Sequence, residues 1–170
     1  MVLSDNELAL RPLELADLDA VVAACADPEI PRFTLLVPSP YTEEDGRSFL
    51  THVDDQWRRG DPEKTFAVTA GGVFEGVVSV SLDDGVLGYW MRRDGRGRGL
   101  MTRAVRLVVD WARGEGVERL FLTTHPDNVP SQRVAEKAGF RRVGIVDEPR
   151  GFKDGTTKAF LYELLAPQAP

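Results

Sequence analysis

The chain has 170 residues, of which 42% are hydrophobic and 28% charged, with 27 acids, 21 bases and a net charge of −6. That length suits one domain, which buries roughly 70% of its unfolded surface and needs no disulfide or metal to hold a core. The acidic balance argues against a general nucleic-acid coat, and no run approaches the ~20 apolar residues of a membrane span.

In chain order, Glu7–Pro12 (ELALRP) reads as a short strand closed by proline. Residues 16–26 carry Leu18, Val21, Val22 and Cys25 at helical spacing, with acids in the first turn. Pro28, Pro31, Pro38 and Pro40 break residues 28–40 into an irregular loop, long enough to suggest a functional role. Thr42 followed by Glu43, Glu44 and Asp45 starts a helix that Phe49, Leu50, Val53 and Trp57 continue to about Arg59. Three strands follow, 64–70, 73–82 and 86–92, with Gly71–Gly72 and Asp83–Asp84–Gly85 as turns, giving an antiparallel meander. A glycine-rich turn at 94–99 leads into a helix at 100–115 with Met101, Val105, Val108 and Ala112 on one stripe. Residues 117–124 form a strand and 130–138 a short helix with proline early and Gly139 past its end. Strands at 140–146 and 156–165 complete the order β α α β β β α β α β β, a mixed α/β fold in three layers. Residues 1–165 form the domain, and 166–170 (APQAP) is expected to be a flexible tail.

Charge is unevenly spread. Residues 1–91 hold 17 acids and 6 bases, a net of −11, and residues 92–170 hold 10 acids and 15 bases, a net of +5. Arg92, Arg93, Arg96, Arg98, Arg103 and Arg106 crowd into fifteen residues. This island points to a localised anion site. Cys25 is the only cysteine, sits in an apolar run and reads as a buried small residue. His52 and His125 have no cysteine or histidine partner at zinc spacing, so no metal is expected. The opening MVLSDNELALRP shows no basic n-region, no signal peptide is expected, and a cytoplasmic location is the default.

The turn Arg92-Arg93-Asp94-Gly95-Arg96-Gly97-Arg98-Gly99 stands at a strand-to-helix junction. Glycines admit positive φ and close approach of a ligand to the backbone. The following helix offers unspent N–H groups and the positive end of its dipole, a cradle suited to phosphate. Arginines add charge-assisted contacts. No Gly-Lys-Ser/Thr closes the turn, and a G-x-G-x-x-G reading fails at Leu100 from Gly95 and at Thr102 from Gly97.

A second signature, His125-Pro-Asp-Asn-Val-Pro-Ser-Gln-Arg-Val-Ala-Glu-Lys-Ala-Gly-Phe140, lies about 30 residues on. With Arg96-Gly97-Arg98-Gly99-Leu-Met-Thr it closely resembles the GCN5-related N-acetyltransferase (GNAT) superfamily, and most of all its ribosomal-protein-alanine N-acetyltransferase-like (RimJ/RimL-like) branch. Leu10-Arg11-Pro12-Leu13 and Gly88-Tyr89-Trp90 also resemble that branch. The resemblance implies a GNAT fold with a mixed central sheet flanked by helices. It implies acetyl transfer from acetyl-coenzyme A to a primary amine, at a protein N-terminus or on a small molecule. The alternative is a non-catalytic acyl-coenzyme A-binding or sensing module. It implies no metal, no nucleic-acid or membrane partner, and a homodimer as a common state in that branch.

By the same resemblance, backbone amides from Gly97 through Arg98, Gly99, Leu100 and Met101 to Thr102 hold the pyrophosphate, with Arg96 opening the motif. Met101 stands where the family has glycine or alanine. Met91 and Arg92 are expected to pair their backbone with the pantetheine arm, and the strand to splay from the next near Thr123–Thr124. Asn128 is implied to contact the pantetheine arm or a water, and Ser131 to donate to the leaving thiolate, since Val134, Ala135 and Glu136 occupy the positions where many relatives have tyrosine. Ser131 also fits a plain capping role at its helix start. Arg133 is implied to reach the phosphate or adenine end. Many relatives carry a glutamate base where this chain has Val86, which leaves Glu75, Asp83 and Tyr89 as the nearby titratable groups. The acidic first half is expected to surround the acceptor cleft and draw cationic amines.

Overall fold

The computed structural model describes residues 1–165; the tail expected to be flexible lies outside them. Strands β1 (Leu3–Asp5), β2 (Leu8–Pro12), β3 (Glu63–Ala70), β4 (Val73–Ser81) and β5 (Leu87–Met91) form one antiparallel sheet in sequence order. Strands β6 (Arg119–Thr124), β7 (Arg141–Asp147) and β8 (Lys158–Leu165) form a second, in the order β6-β8-β7. The helices are α1 (Leu18–Cys25), α2 (Glu29–Phe33), α3 (Glu43–Arg59), α4 (Leu100–Gly114) and α5 (Val129–Lys137). Among the described residues none is long and apolar enough to cross a membrane.

Three local readings change. The first strand is a hairpin of two, β1 and β2, turned at Asn6, which takes a positive φ of 51°. The proline-broken segment holds a short helix, α2, because Ile30 and Pro31 are buried and pin one turn in place. The mixed central sheet is two antiparallel sheets meeting at one parallel bridge, Val86 with Phe121. The parallel relation is what the α4 crossover between β5 and β6 imposes.

Caps and stripes match the sequence elsewhere. Thr42 Oγ1 accepts from the Asp45 N–H at 3.2 Å and the Asp45 carboxylate accepts from the Thr42 N–H at 2.8 Å, a closed capping box for α3. Met101, Ala104, Val105, Val108 and Ala112 of α4 are buried against β2–β4 and β6. Phe66 stands edge-on to Trp57 at 5.1 Å and to Trp111 at 5.4 Å, and the sheet packs Val68, Val78 and Val80 on α4 and Ala67 and Val77 on Leu50 and Val53 of α3. Each aromatic pair contributes about 1 kcal/mol beyond area burial. The rigid sheet and α4 set the position of the turn between them.

Candidate active site

Beyond the Val86–Phe121 bridge, where the Phe121 N–H donates to the Gly85 carbonyl at 2.9 Å, β5 and β6 diverge. The gap opens a cavity of about 550 Å³ between Leu87–Met91 on one side and Leu122–Thr124 on the other. Its floor is the start of α4 and its far wall the start of α5, with Ile30, Phe33 and Thr34 of the α2 region at one end. On β5, Arg92 donates its N–H to the Glu75 carbonyl of β4, so with period-2 alternation Tyr89 and Met91 turn their backbone groups into the gap.

Gly97 and Gly99 have φ of 76° and 74°, the left-handed region that a side chain resists. A Cβ on either would meet nothing within 4 Å, so the space above them is open. Gly99 stands at the N-cap of α4 with no side chain capping it, and the first amides of the helix face that space unspent. Residues Gly97, Gly99, Leu100, Met101 and Thr102 all line the cavity. The cradle fits an anion held by backbone donors.

The arginines behave differently from the sequence expectation. Arg92 Nε donates to Glu75 Oε2 at 2.8 Å and Arg98 Nη1 to Glu75 Oε1 at 2.9 Å, and neither side chain lines the cavity. Arg96 lines it but donates Nε and Nη2 to the Met91 carbonyl at 3.1 and 3.0 Å, with Glu29 at 3.1 Å and Asp27 at 2.8 Å. The Met91 carbonyl is therefore already engaged, and the Arg92 N–H is spent on β4, so of that pair only the Met91 N–H remains for a strand-like partner. Arg93 pairs with Asp27 and Arg103 with Asp5. Burial opposes the charged form of Asp27, yet the Glu29 amide and the Arg96 and Arg93 guanidinium groups outweigh it and hold the carboxyl below the usual carboxylate range. Four acids of the first half are spent on the island: Asp5, Asp27, Glu29 and Glu75 each hold one or two of its arginines.

At the α5 start, Asn128 is the cap. Its side-chain carbonyl accepts from the Ser131 N–H at 3.2 Å. Ser131 is released from capping, and its Oγ donates to Tyr89 Oη at 3.1 Å while Tyr89 Oη donates to the Ser131 carbonyl at 2.9 Å. Burial pushes the Tyr89 phenol above its ordinary value. Asn128, Ser131 and Arg133 all line the cavity.

Of the titratable groups named near β5 only Tyr89 lines the gap, and burial holds its phenol protonated rather than basic. Glu75 is buried beneath the turn, and Asp83 lies beside a separate shallow pocket with Gly85 and Arg119. Val86 is half exposed and makes the bridge. Among the described residues Glu29 is the one carboxylate lining the cavity, and Arg96 holds it.

Two features escaped sequence reading. Glu75 is named from the sequence as a titratable group near the site, but nothing local shows that it pairs with Arg92 and Arg98. The other is a clasp at the α2 end of the cavity. Lys153 Nζ donates to the carbonyls of Thr34 and Leu35 at 3.0 and 3.2 Å. Buried His125 accepts the Asp127 N–H on Nδ1 at 3.0 Å, which leaves Nε2 to donate to Asp154 at 3.0 Å, and its ring lies against Phe33 and Phe152. Arg32 reaches Asp127 at 3.5 Å and Asp154 at 4.0 Å. These contacts tie residues 150–157 to the α2 loop, and no local pattern announces them.

Comparison with known proteins agrees with this geometry. Residues 7–141 match the family model described as an acetyltransferase (GNAT) domain. A probable N-acetyltransferase of Bacillus subtilis, YjcK, is 30% identical over 156 residues, covering 85% of this chain and 86% of that protein. Among solved structures, RimL, a ribosomal L7/L12 alpha-N-protein acetyltransferase in complex with coenzyme A, superposes with a TM-score of 0.85 at 16% identity, covering 97% of this chain and 98% of that one. RimJ of Mycobacterium smegmatis, in complex with a coenzyme A disulfide, gives 0.83 at 20% identity, covering 96% and 84%.

Proposed function

The chain belongs to the GNAT acetyltransferase family and is an N-acetyltransferase with acetyl-coenzyme A as donor, and we propose that its acceptor is the α-amino group of a protein or peptide N-terminus. The observation that carries this reading is the lack of a usable carboxylate in the cavity wall: among the described residues only Glu29 lines it, and Arg96 holds Glu29. An acceptor must then arrive neutral by its own equilibrium. With a pKa near 7.8, about a third of an α-amine is neutral at pH 7.5, against about one in a thousand for a lysine near 10.4. That ~250-fold difference selects α-amines without any base. The RimL neighbour, a ribosomal L7/L12 alpha-N-protein acetyltransferase, fits this acceptor class.

In this reading the donor supplies a thioester whose carbonyl carbon accepts the amine, with the C–S bond breaking to thiolate. The amides of Gly97 to Thr102 hold its pyrophosphate at the positive end of α4. The outward backbone of Tyr89, with the Met91 N–H, pairs with its extended arm. The sulfur departs as thiolate, and the Ser131 hydroxyl, turned from Tyr89 Oη, hydrogen-bonds to it without losing its proton, while Tyr89 stays held on the Ser131 carbonyl. The amine proton passes to water, since no side chain in the wall takes it.

Initial rates of thiol release on peptides with a free N-terminus, and on N-blocked peptides bearing a lysine, test the proposal. Free N-termini should react and blocked ones should not. Their kcat/KM should rise with unit slope through about pH 8 and then level, tracking the amine. Burial keeps Tyr89 protonated across this range, so no falling limb is expected by pH 9. Preference for the lysine peptide would overturn the acceptor assignment. Tight donor binding with no turnover on any amine would support the acyl-coenzyme A-binding alternative.

A further inference from the structure

Glu75 is 2% exposed, in the middle of a strand that is otherwise apolar on its buried face. A buried carboxylate costs several kcal/mol unless it is paired and hydrogen-bonded. Here both oxygens are used: Oε2 accepts from Arg92 at 2.8 Å and Oε1 from Arg98 at 2.9 Å. Its backbone carbonyl accepts the Arg92 N–H at 2.9 Å. Arg92 and Arg98 are the two shoulders of the turn that carries Gly95 and Gly97. The turn also makes room for the carboxylate, because a Cβ on Gly95 would lie 2.5 Å from Glu75 Oε2.

A negative group beneath an anion cradle opposes the ligand's charge, so its presence calls for a compensating role. Resting on the donor assignment above, we propose that Glu75 is a positioning residue for acetyl-coenzyme A. It staples both shoulders of the turn to β4, so that the Gly97–Gly99 backbone and the first α4 amides are held in their anion-binding arrangement before the donor arrives. It does so by drawing Arg92 and Arg98 away from the cavity, which leaves phosphate recognition to the backbone. Preorganised donors bind without the ordering entropy that a loose glycine turn would lose on binding. Arg98 is 49% and Arg92 33% exposed at the side chain, so both reach water when released, and the fold tolerates the loss of the carboxylate better than burial alone would suggest.

The experiment is Glu75→Gln, measured by calorimetry with coenzyme A and by steady-state kinetics with varied acetyl-coenzyme A. The Kd for coenzyme A and the KM for acetyl-coenzyme A should rise on the order of 10-fold, with kcat at saturating donor within about 2-fold of wild type. Adding Arg98→Met to Glu75→Gln should cost less than about 2-fold more, since the staple is already lost. Gly95→Ala, which keeps the charge and presses a methyl onto Oε2, should raise the same KM and gives an independent reading if Glu75→Gln folds poorly. An unchanged or lower Kd in Glu75→Gln would show that the carboxylate only withholds Arg98 from phosphate, and a fall in kcat at unchanged KM would give it a different role; either result overturns the inference. Failure of wild type to bind coenzyme A would instead remove the donor assignment on which it rests.

Discussion

The two ends of the cavity are built by opposite means. At the α4 end, a turn of eight residues and the start of one helix place every donor, and glycines at φ of 76° and 74° fix the path. At the α2 end, the wall is Ile30, Phe33 and Thr34, backed by a second segment through Lys153 on Thr34 and Leu35 and His125 on Asp154. The first end takes its donors from local backbone, with Glu75 17 and 23 residues away bracing the turn from β4, whereas the second rests on contacts between residues 29 to 119 apart in the chain. A phosphate group suits a locally encoded site, and the α2 end, on the first half of the chain where the acceptor cleft is expected, is built from segments that sequence changes reshape independently of the sheet.

Three substitutions probe this division, and the largest effect is expected at the locally built end. Gly99→Glu puts a Cβ at φ of 74° and a carboxylate at the helix start, so coenzyme A affinity measured by calorimetry should fall by more than about 100-fold. Residual affinity within a few fold of wild type would contradict the cradle assignment. Ser131→Ala, in the middle of the cavity, should lower kcat by on the order of 10- to 100-fold while KM for acetyl-coenzyme A changes little. The Asn128 cap on α5 is untouched by it, so melting should stay near wild type. Lys153→Met releases the α2 loop carbonyls while the α4 end stays intact. Acceptor KM should rise roughly 3- to 5-fold with donor KM unchanged, in line with the loss of one or two hydrogen bonds from a partly exposed ammonium. A matching change in donor KM would mean that the two ends are not independent and that Arg96, which touches Glu29 and the Met91 carbonyl together, couples them.

Much of the fold was legible because its signals are local. The capping box at Thr42 and Asp45, the Gly71–Gly72 turn and the α4 stripe each declare an element within a few residues. Residue 131 shows the limit. A serine near a helix start reads equally well as cap or as catalyst. Only the packing of β5 beside α5 brings Tyr89 to its hydroxyl, and only Asn128 three residues earlier frees it from the cap. The α2 helix was hidden by its prolines, because burial of Ile30 and Pro31, rather than helix propensity, holds it.

The sequence by itself determined the order of elements from α3 to β8, the glycine turn and the helix that starts behind it, since turn chemistry and the 3.6-residue period act over a single turn of chain. It also determined that the charge is split between the two halves. What the split means was decided by tertiary structure. Arg92, Arg96 and Arg103 meet acids 17, 67 and 98 residues away, and these partners decide whether an arginine faces a ligand or anchors a turn. An ion pair is a matter of a few ångströms between side chains, and only the folded sheet sets those distances.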